Sequence, residues 1–315
     1  MRKALLLYNP LSGQRSERRL QQIETVAAIL RSAGVAVSNS LTRSAADATA
    51  QARQAVLSGY DTVFACGGDG TIHDVVQGLV GTDVALGVIP LGTANALAHD
   101  LGLPLRPDKA AFAVLSAERR RIALGKIECR DLAGNELTRY FTVAVGIGAD
   151  AYLFYNLDPA AKRRFGMISY YAKATWIWLV HPMEEFSVEL DSAADNRTHY
   201  ANVTQLLAAR ILNFGGILRE LVPGASLGRN DLRLALFRTP SRLAYLSYVF
   251  CRMIGMNGQV AGIEGYDANS VVCNLSENSP RSSLIFVEAD GEILGTLPAK
   301  ISIVPAALTL LFPKR

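Results

Sequence analysis

The chain has 315 residues, half of them hydrophobic and 19% charged, with a net charge of +4. That balance predicts a folded globular protein of about two domains and excludes a disordered chain. The charge is too modest for a nucleic-acid partner, although a slightly basic surface is compatible with anionic membrane lipids. Cys66, Cys129, Cys251 and Cys273 show no Cys-x-x-Cys spacing, and His73, His99, His181 and His199 are scattered. The thiols are therefore expected to be free and buried in a reducing cytoplasm, with no zinc site. No apolar run approaches about 18 residues, so no transmembrane segment is predicted, and the run behind Met1-Arg2-Lys3 is too short for a secretory signal.

Taken in chain order, the first part of the sequence alternates short apolar runs with helix-period segments. Strands are predicted over 4–8, 35–41, 62–66 and 84–89. Helices are predicted where Leu20, Ile23, Ala27 and Leu30 share a face, over 45–57, from near Thr71 with Ile72, Val75, Val76 and Leu79 on one face, and from about Ala94. Such βαβα order implies a parallel sheet with helices on both faces, and ligands gather at the carboxyl ends of its strands.

Beyond about residue 122 the texture changes to strand-like runs, over 122–129, 140–147, 186–190, 202–207, 232–237, 270–273 and 284–289. Helical segments interrupt them over 168–179 and 243–256, the second amphipathic. The predicted fold class is an α/β N-terminal domain with a parallel sheet over 1–122, followed by an antiparallel β-sandwich domain over 123–298. The C-terminal segment 299–315 is a candidate to rejoin the first domain. The basic runs 119–121 and 162–164 read as solvated faces.

Residues 61–71, Asp-Thr-Val-Phe-Ala-Cys-Gly-Gly-Asp-Gly-Thr, hold the clearest chemical signal. An apolar strand ends in Gly67, Gly68 and Gly70 around Asp69, and a helix starts near Thr71. Unpaired N–H groups and the positive end of the helix dipole make such a corner suited to a phosphate. Glycines let the main chain approach an anion without a Cβ in the way. Asp69 repels phosphate, so its placement points to proton handling or magnesium organisation. The loop is neither a Walker A sequence, since no Gly-Lys-Ser/Thr follows, nor the G-x-G-x-x-G dinucleotide fingerprint. Two further small-residue loops fall at strand ends on the same rim, Asn9-Pro10-Leu11-Ser12-Gly13 and Pro90-Leu91-Gly92-Thr93-Ala94-Asn95. Singly each is ordinary turn chemistry; it is their joint placement that points to a nucleotide-phosphate site.

Together with Gly146-Ile-Gly-Ala-Asp150-Ala151, Asn213-Phe-Gly-Gly216, Pro223-Gly-Ala225 and Asp290-Gly-Glu292, these motifs run the length of the chain. The ordered set resembles the diacylglycerol kinase catalytic-domain family, the bacterial soluble lipid kinases related to sphingosine kinases. The resemblance implies ATP with Mg2+ bound on the first domain and a lipid pocket in the second. It implies that Asn9, Ser12, Gly13 and Thr42 sit near the nucleotide. Gly67, Gly68, Asp69, Gly70 and Thr71 would hold the phosphates, helped by Gly92, Thr93 and Asn95. Glu292 matches the family's proton acceptor and Asp69 its other essential carboxylate, while Asp231 is the candidate metal ligand. On spacing alone, Asp290-Gly291-Glu292 can be a hairpin turn with an exposed glutamate or a turn that presents Glu292 to an acceptor.

The acceptor implied is a lipid alcohol at a membrane surface, by default diacylglycerol, which would give phosphatidate. The resemblance also implies a cytoplasmic enzyme, peripheral at the inner membrane surface when active, and admits a homodimer. Tyr152, Phe154, Tyr155, Met167, Tyr170, Tyr171, Trp176 and Trp178 are candidates to line an apolar slot, against plain core packing. Three departures from the family pattern stand out. Ala96 and Ala123 occupy positions where relatives often carry Asp, and Arg229-Asn230 stands where a metal-associated Asp-Gly is found, leaving Asp231 two positions away. Two alternatives are an NAD kinase-like enzyme, which shares the Gly-Gly-Asp-Gly-Thr loop, and a catalytically idle nucleotide- or lipid-binding member. The Asn-Glu pair and Gly-Phe-Leu stretch of NAD kinases are missing here, with Leu91-Gly-Thr-Ala-Asn95 in their place.

Overall fold

The computed structural model describes residues 1–10, 16–156, 175–176, 178–194, 197–216, 220–256, 258–276 and 284–314. The chain divides into two compact units. One comprises Met1–Leu124, Asn213–Arg219 and Val304–Arg315; the other comprises Gly125–Leu212 and Glu220–Ile303.

The first unit runs β1 (Lys3–Tyr8), α1 (Ser16–Ser32), β2 (Ala36–Leu41), α2 (Ala45–Leu57), β3 (Thr62–Gly67), α3 (Asp69–Leu79), β4 (Ala85–Pro90), α4 (Ala96–Asp100) and α5 (Pro107–Leu115). Its strands pair in parallel in the order β2-β1-β3-β4. The end of the last strand, β14 (Glu292–Phe312), adds to β4 in parallel through Thr309 and Leu310. Every residue of β3 and β4 is buried, as befits central strands of a parallel sheet covered on both faces. Ile23, Ala27 and Leu30 of α1 are buried, but Leu20, at the N-terminal end of the same face, is 51% exposed. The run Arg119-Arg120-Arg121 forms partly exposed ion pairs with Asp61, Glu118 and Asp83.

The second unit contains most of β5 (Glu118–Arg130), then β6 (Glu136–Phe141), β7 (Ala144–Gly148), α6 (Ala149–Asn156), β8 (Phe186–Ser192), β9 (Thr198–Val203), β10 (Gln205–Ala209), β11 (Leu232–Phe237), α7 (Arg242–Met253), β12 (Ile263–Leu275), β13 (Phe286–Ala289) and the first part of β14. Its pairings are antiparallel, in the order β13-β7-β10-β11-β12-β8-β9. β14 pairs with β13 through Ala289 and Glu292, and with β12 through Cys273 and Ala299. The ladder from β14 through β13, β7, β10, β11 and β12 thus returns to its starting strand, which removes free edges there. Its core is built from alternate strand residues, among them Phe141, Val145, Ile147, Leu206, Leu234, Val271, Val287 and Ile301.

Two predicted strands are each broken in two. The run 140–147 stops at Phe141 and resumes at Ala144, because the N–H groups of Thr142, Val143 and Ala144 all donate to the Asp290 carboxylate. The run 202–207 breaks at Thr204, whose N–H donates to the Phe237 carbonyl and whose hydroxyl lies 2.7 Å from the Thr239 carbonyl. The helix predicted over 243–256 spans Arg242–Met253 and leaves Leu243, Leu246, Phe250 and Met253 exposed. Most of the helix predicted over 168–179, and the basic run 162–164, lie outside the described residues.

Candidate functional site

The first unit assembles its loops at the carboxyl ends of β1, β3 and β4. Helix α3 starts at Asp69, two residues before the predicted start, so the carboxylate sits in its first turn. Gly68 is the N-cap and supplies no side chain to cap the helix. The end of such a helix carries orphan backbone donors and positive partial charge. Gly67 lies under Thr71: a Cβ there would stand 2.3 Å from Thr71 Oγ1. The neighbouring loop is locked onto this one. Leu91 N–H donates to the Gly67 carbonyl at 2.8 Å, and a Cβ on Gly92 would stand only 2.4 Å from Gly68 Cα.

Asn95 closes that second loop on itself. Its Oδ1 accepts from Gly92 N–H at 2.9 Å and its Nδ2 donates to the Gly92 carbonyl at 3.0 Å. It is buried and left-handed, with φ +51°, a conformation that asparagine tolerates better than most residues. Thr93, beside it, is exposed. Asn9 is half-buried just past β1, and Thr42 is buried, with its N–H donating to the Tyr8 carbonyl at 2.8 Å. Asn9, Thr42, Gly67–Thr71 and Gly92–Asn95 therefore share one rim of one sheet, whereas Ser12 and Gly13 lie outside the described residues.

A cavity of about 510 Å³ opens beside the Leu91–Asn95 loop, lined among others by Arg18, Arg19, Gln22, Thr93 and Pro107. Arg19 is buried and donates to the Leu91 carbonyl at 2.7 Å. Burial lowers its pKa from the usual arginine value, although the group stays cationic. Motif reading missed this pair of arginines, since they sit on α1 and belong to no glycine-rich loop. The segment beginning at Asn213 belongs to this unit as well: Asn213 N–H donates to Asp100 Oδ1 at 2.9 Å.

In the second unit, Asp290 and Gly291 form a two-residue hairpin turn with φ +52° and +85°, and Glu292 opens β14 as an exposed side chain. The turn is held from two sides. Asp290 Oδ1 accepts from Val143 N–H at 2.8 Å and Ala144 N–H at 3.2 Å, and its Oδ2 accepts from Thr142 N–H at 3.1 Å. Glu288 Oε2 accepts from Gly291 N–H at 2.9 Å. The Asp150 and Glu288 carboxyl groups meet over Gly146: the point where a Cβ would stand on that glycine is 2.1 Å from Asp150 Oδ2 and 2.7 Å from Glu288 Oε1. Burial pushes the Asp150 carboxyl up to about 7. Burial, reinforced by the Asp150 charge, holds Glu288 well above the ordinary carboxylate range. The pair is therefore disposed to keep a proton at neutral pH.

The model of the diacylglycerol kinase catalytic domain matches residues 3–127. The chain is 30% identical over 316 residues to a diacylglycerol kinase of Mycobacterium tuberculosis (strain CDC 1551 / Oshkosh), covering 99% of this chain and 96% of that one. The chain belongs to the diacylglycerol kinase family. It is also 29% identical over 318 residues to the diacylglycerol kinase of Bacillus subtilis (strain 168), covering 100% of this chain and 97% of the relative. Among solved structures, a diacylglycerol kinase from Bacillus anthracis str. Sterne superposes with a TM-score of 0.72 at 22% identity, over 98% of this chain and 96% of that one. A yeast NADH kinase complexed with NADH superposes with a TM-score of 0.52 at 9% identity, over 100% and 84% of the two chains. These two superpositions show a shared fold.

Within this diacylglycerol kinase family member, the positions that depart from the family pattern are structurally defined. Ala96 and Ala123 are buried, so no carboxylate stands there. Asp231 accepts from the Arg229 guanidinium through both oxygens, at 2.6 and 2.7 Å. Of the aromatic candidates, Tyr155 stacks on buried Phe286 with ring centroids 4.1 Å apart, and Tyr152 packs against His181 at 4.6 Å. Phe154 and Trp176 are exposed and Trp178 is half-buried, while Met167, Tyr170 and Tyr171 lie outside the described residues. A shallow apolar groove of about 410 Å³ runs along α7, lined by Leu246, Ser247, Val249, Phe250 and Met253. Cys66, Cys129 and Cys273 are buried free thiols and Cys251 is half-buried. Among the described residues, no helix is long and apolar enough to cross a membrane.

Proposed function

We propose that this family member is an ATP-dependent lipid kinase that transfers the γ-phosphate of MgATP to the hydroxyl of diacylglycerol, giving phosphatidate. The observation that carries the reading is the double loop at the head of α3, where Gly68 and Gly92 meet backbone to backbone and Asn95 holds the second loop shut. Rigid backbone donors at a helix N-terminus fit the oxygens of a nucleotide's phosphates, and Arg18 and Arg19 add positive charge to the adjoining cavity.

Phosphoryl transfer asks mainly for alignment and charge neutralisation. Gly67–Thr71 and Thr93 would hold the phosphates, with Asn9, Ser12, Gly13 and Thr42 near the nucleotide. Magnesium arriving with ATP would neutralise charge on the terminal phosphates, and Asp69 is the carboxylate on this rim suited to it. The lipid hydroxyl gives its proton to Glu292 as its oxygen bonds to the γ-phosphorus, the bond to the bridging oxygen breaks, and ADP leaves. Positioned base help of this kind typically contributes about 10²–10⁴ in rate. The groove along α7 and the aromatics of α6 are the apolar surfaces offered to acyl chains.

The test is transfer of label from γ-labelled ATP to a panel of micellar lipids, with products identified by mass spectrometry and NAD included as an acceptor. Labelled phosphatidate is the expected product. Label on NAD alone, or on no acceptor, would remove the proposal.

A further inference from the structure

The site where the family pattern implies a metal-linked carboxylate is filled by an arginine. Arg229 binds Asp231 through two parallel hydrogen bonds, Nε to Oδ1 at 2.6 Å and Nη2 to Oδ2 at 2.7 Å. The same Nη2 lies 2.8 Å from Asp267 Oδ1 on β12. Arg233 on β11 adds a second cation to Asp267 at 3.1 Å, and its Nε donates to the Pro223 carbonyl at 2.8 Å. Buried Arg210 on the chain just past β10 donates to the carbonyls of Asp231 at 2.5 Å, Arg229 at 2.8 Å and Leu227 at 3.4 Å.

A divalent ion such as Ca2+ or Mg2+ needs about six or more oxygen ligands, some of them anionic. Here the carboxylates of Asp231 and Asp267 already accept from Arg229 and Arg233, and Arg210 takes the nearby loop carbonyls. Among the described residues, no group of three or more His, Cys, Asp or Glu side chains could hold a metal. The donor set does not fit the implied ion.

We infer that Arg229 takes the place of a divalent cation, so that the segment from Pro223 to Asp231 is clamped to β11 and β12 by the chain's own positive charge and needs no metal to order it. The planar guanidinium suits the role, since it is permanently charged and can bridge two carboxylates at fixed geometry. Neighbouring Asp231 and Asp267 raise the Arg229 pKa further, chiefly through the hydrogen bond to Asp231. The inference is independent of which lipid, if any, accepts phosphate.

Thermal unfolding of the nucleotide-free full chain tests it, in excess EDTA and in millimolar MgCl2, CaCl2 or MnCl2. The wild-type curves are expected to superimpose. Arg229→Gln should unfold several degrees lower and regain part of the loss in CaCl2 or MnCl2, because it strips Asp231 of its guanidinium partner and leaves Asp267 to Arg233 alone. Arg229→Lys, which keeps the charge and loses the fork, should fall between the two and remain indifferent to metal. A metal-dependent rise in the wild-type midpoint that Asp231→Asn abolishes would overturn the inference. So would an Arg229→Gln protein as stable as wild type. If Arg229→Gln does not fold, the wild-type and Lys curves still decide the matter.

Discussion

Gly92 stands against Gly68 so closely that a methyl group on Gly92 would lie 2.4 Å from Gly68 Cα and 2.8 Å from Asn95 Oδ1. Neither obstacle is the free end of a flexible side chain. Gly92→Ala must therefore push the two loops apart, at a cost of about 1–3 kcal/mol. The proposal adds a functional consequence: KM for ATP should rise about tenfold or more, which corresponds to the loss of one well-placed phosphate contact. Gly68→Ala meets Gly92 Cα at a looser 3.2 Å and should be the milder change. Steady-state kinetics with thermal unfolding on both variants checks the order.

Asn95 has two roles that substitution can separate. Asn95→Ala removes the paired hydrogen bonds to Gly92 and places an alanine at φ +51°. Asn95→Gly removes the hydrogen bonds but relieves the backbone. Both should lose stability, and the alanine variant should be worse by about 1 kcal/mol, measurable by urea titration. Equal losses would mean that the left-handed conformation is unimportant.

Asp290 is the hidden organiser of the second unit's hairpin. Its carboxylate takes three backbone N–H groups and its own N–H donates to the Ala144 carbonyl. Asp290→Asn tolerates the same positive φ, so its effect isolates the charged acceptor. A loss of about 1–3 kcal/mol is expected by chemical denaturation, with turnover falling further than KM for ATP changes.

The Asp150–Glu288 pair makes stability depend on pH. Both carboxyls hold protons more tightly folded than unfolded, so the folded state carries extra protons above an ordinary carboxylate pKa of about 4. Stability from this source is full below about pH 4 and falls as pH rises through 7. The titratable groups facing the pair are Asp290 on the adjoining turn, whose charge raises Glu288, and the Tyr245 phenol on α7, which burial and the Asp150 charge keep protonated. Glu288→Gln keeps an acceptor for Gly291 N–H and removes one titrating group. Its thermal midpoint should vary less between about pH 5 and 8 than that of wild type. An unchanged pH slope would exclude the pair as its source.

How much of this was legible in the sequence depends on the distance over which each constraint acts. The parallel strands of the first unit were readable because β3 and β4 are unbroken apolar runs, and α3 because Ile72, Val75, Val76 and Leu79 repeat at helical spacing. The breaks inside 140–147 and 202–207 were not, since Asp290 and Phe237 impose them from far along the chain. Local spacing also could not show that Arg19 turns inward to Leu91 or that Arg229 reaches Asp267. The sequence pattern changes at 122 and 298, whereas the compact units change at Leu124 and Ile303 and the first also includes Asn213–Arg219. The glycine loops were conspicuous because their chemistry is carried by backbone, which few residue types permit.

The most direct test of the central claim is steady-state phosphate transfer to micellar diacylglycerol by wild type, Asp69→Asn and Glu292→Gln side by side. Wild type should form phosphatidate, Asp69→Asn should lose most turnover while unfolding at the wild-type temperature, and Glu292→Gln should fall by about 10²–10⁴ in kcat with KM for ATP nearly unchanged. Full activity in either variant, or a wild type that forms no phosphatidate, would contradict the account.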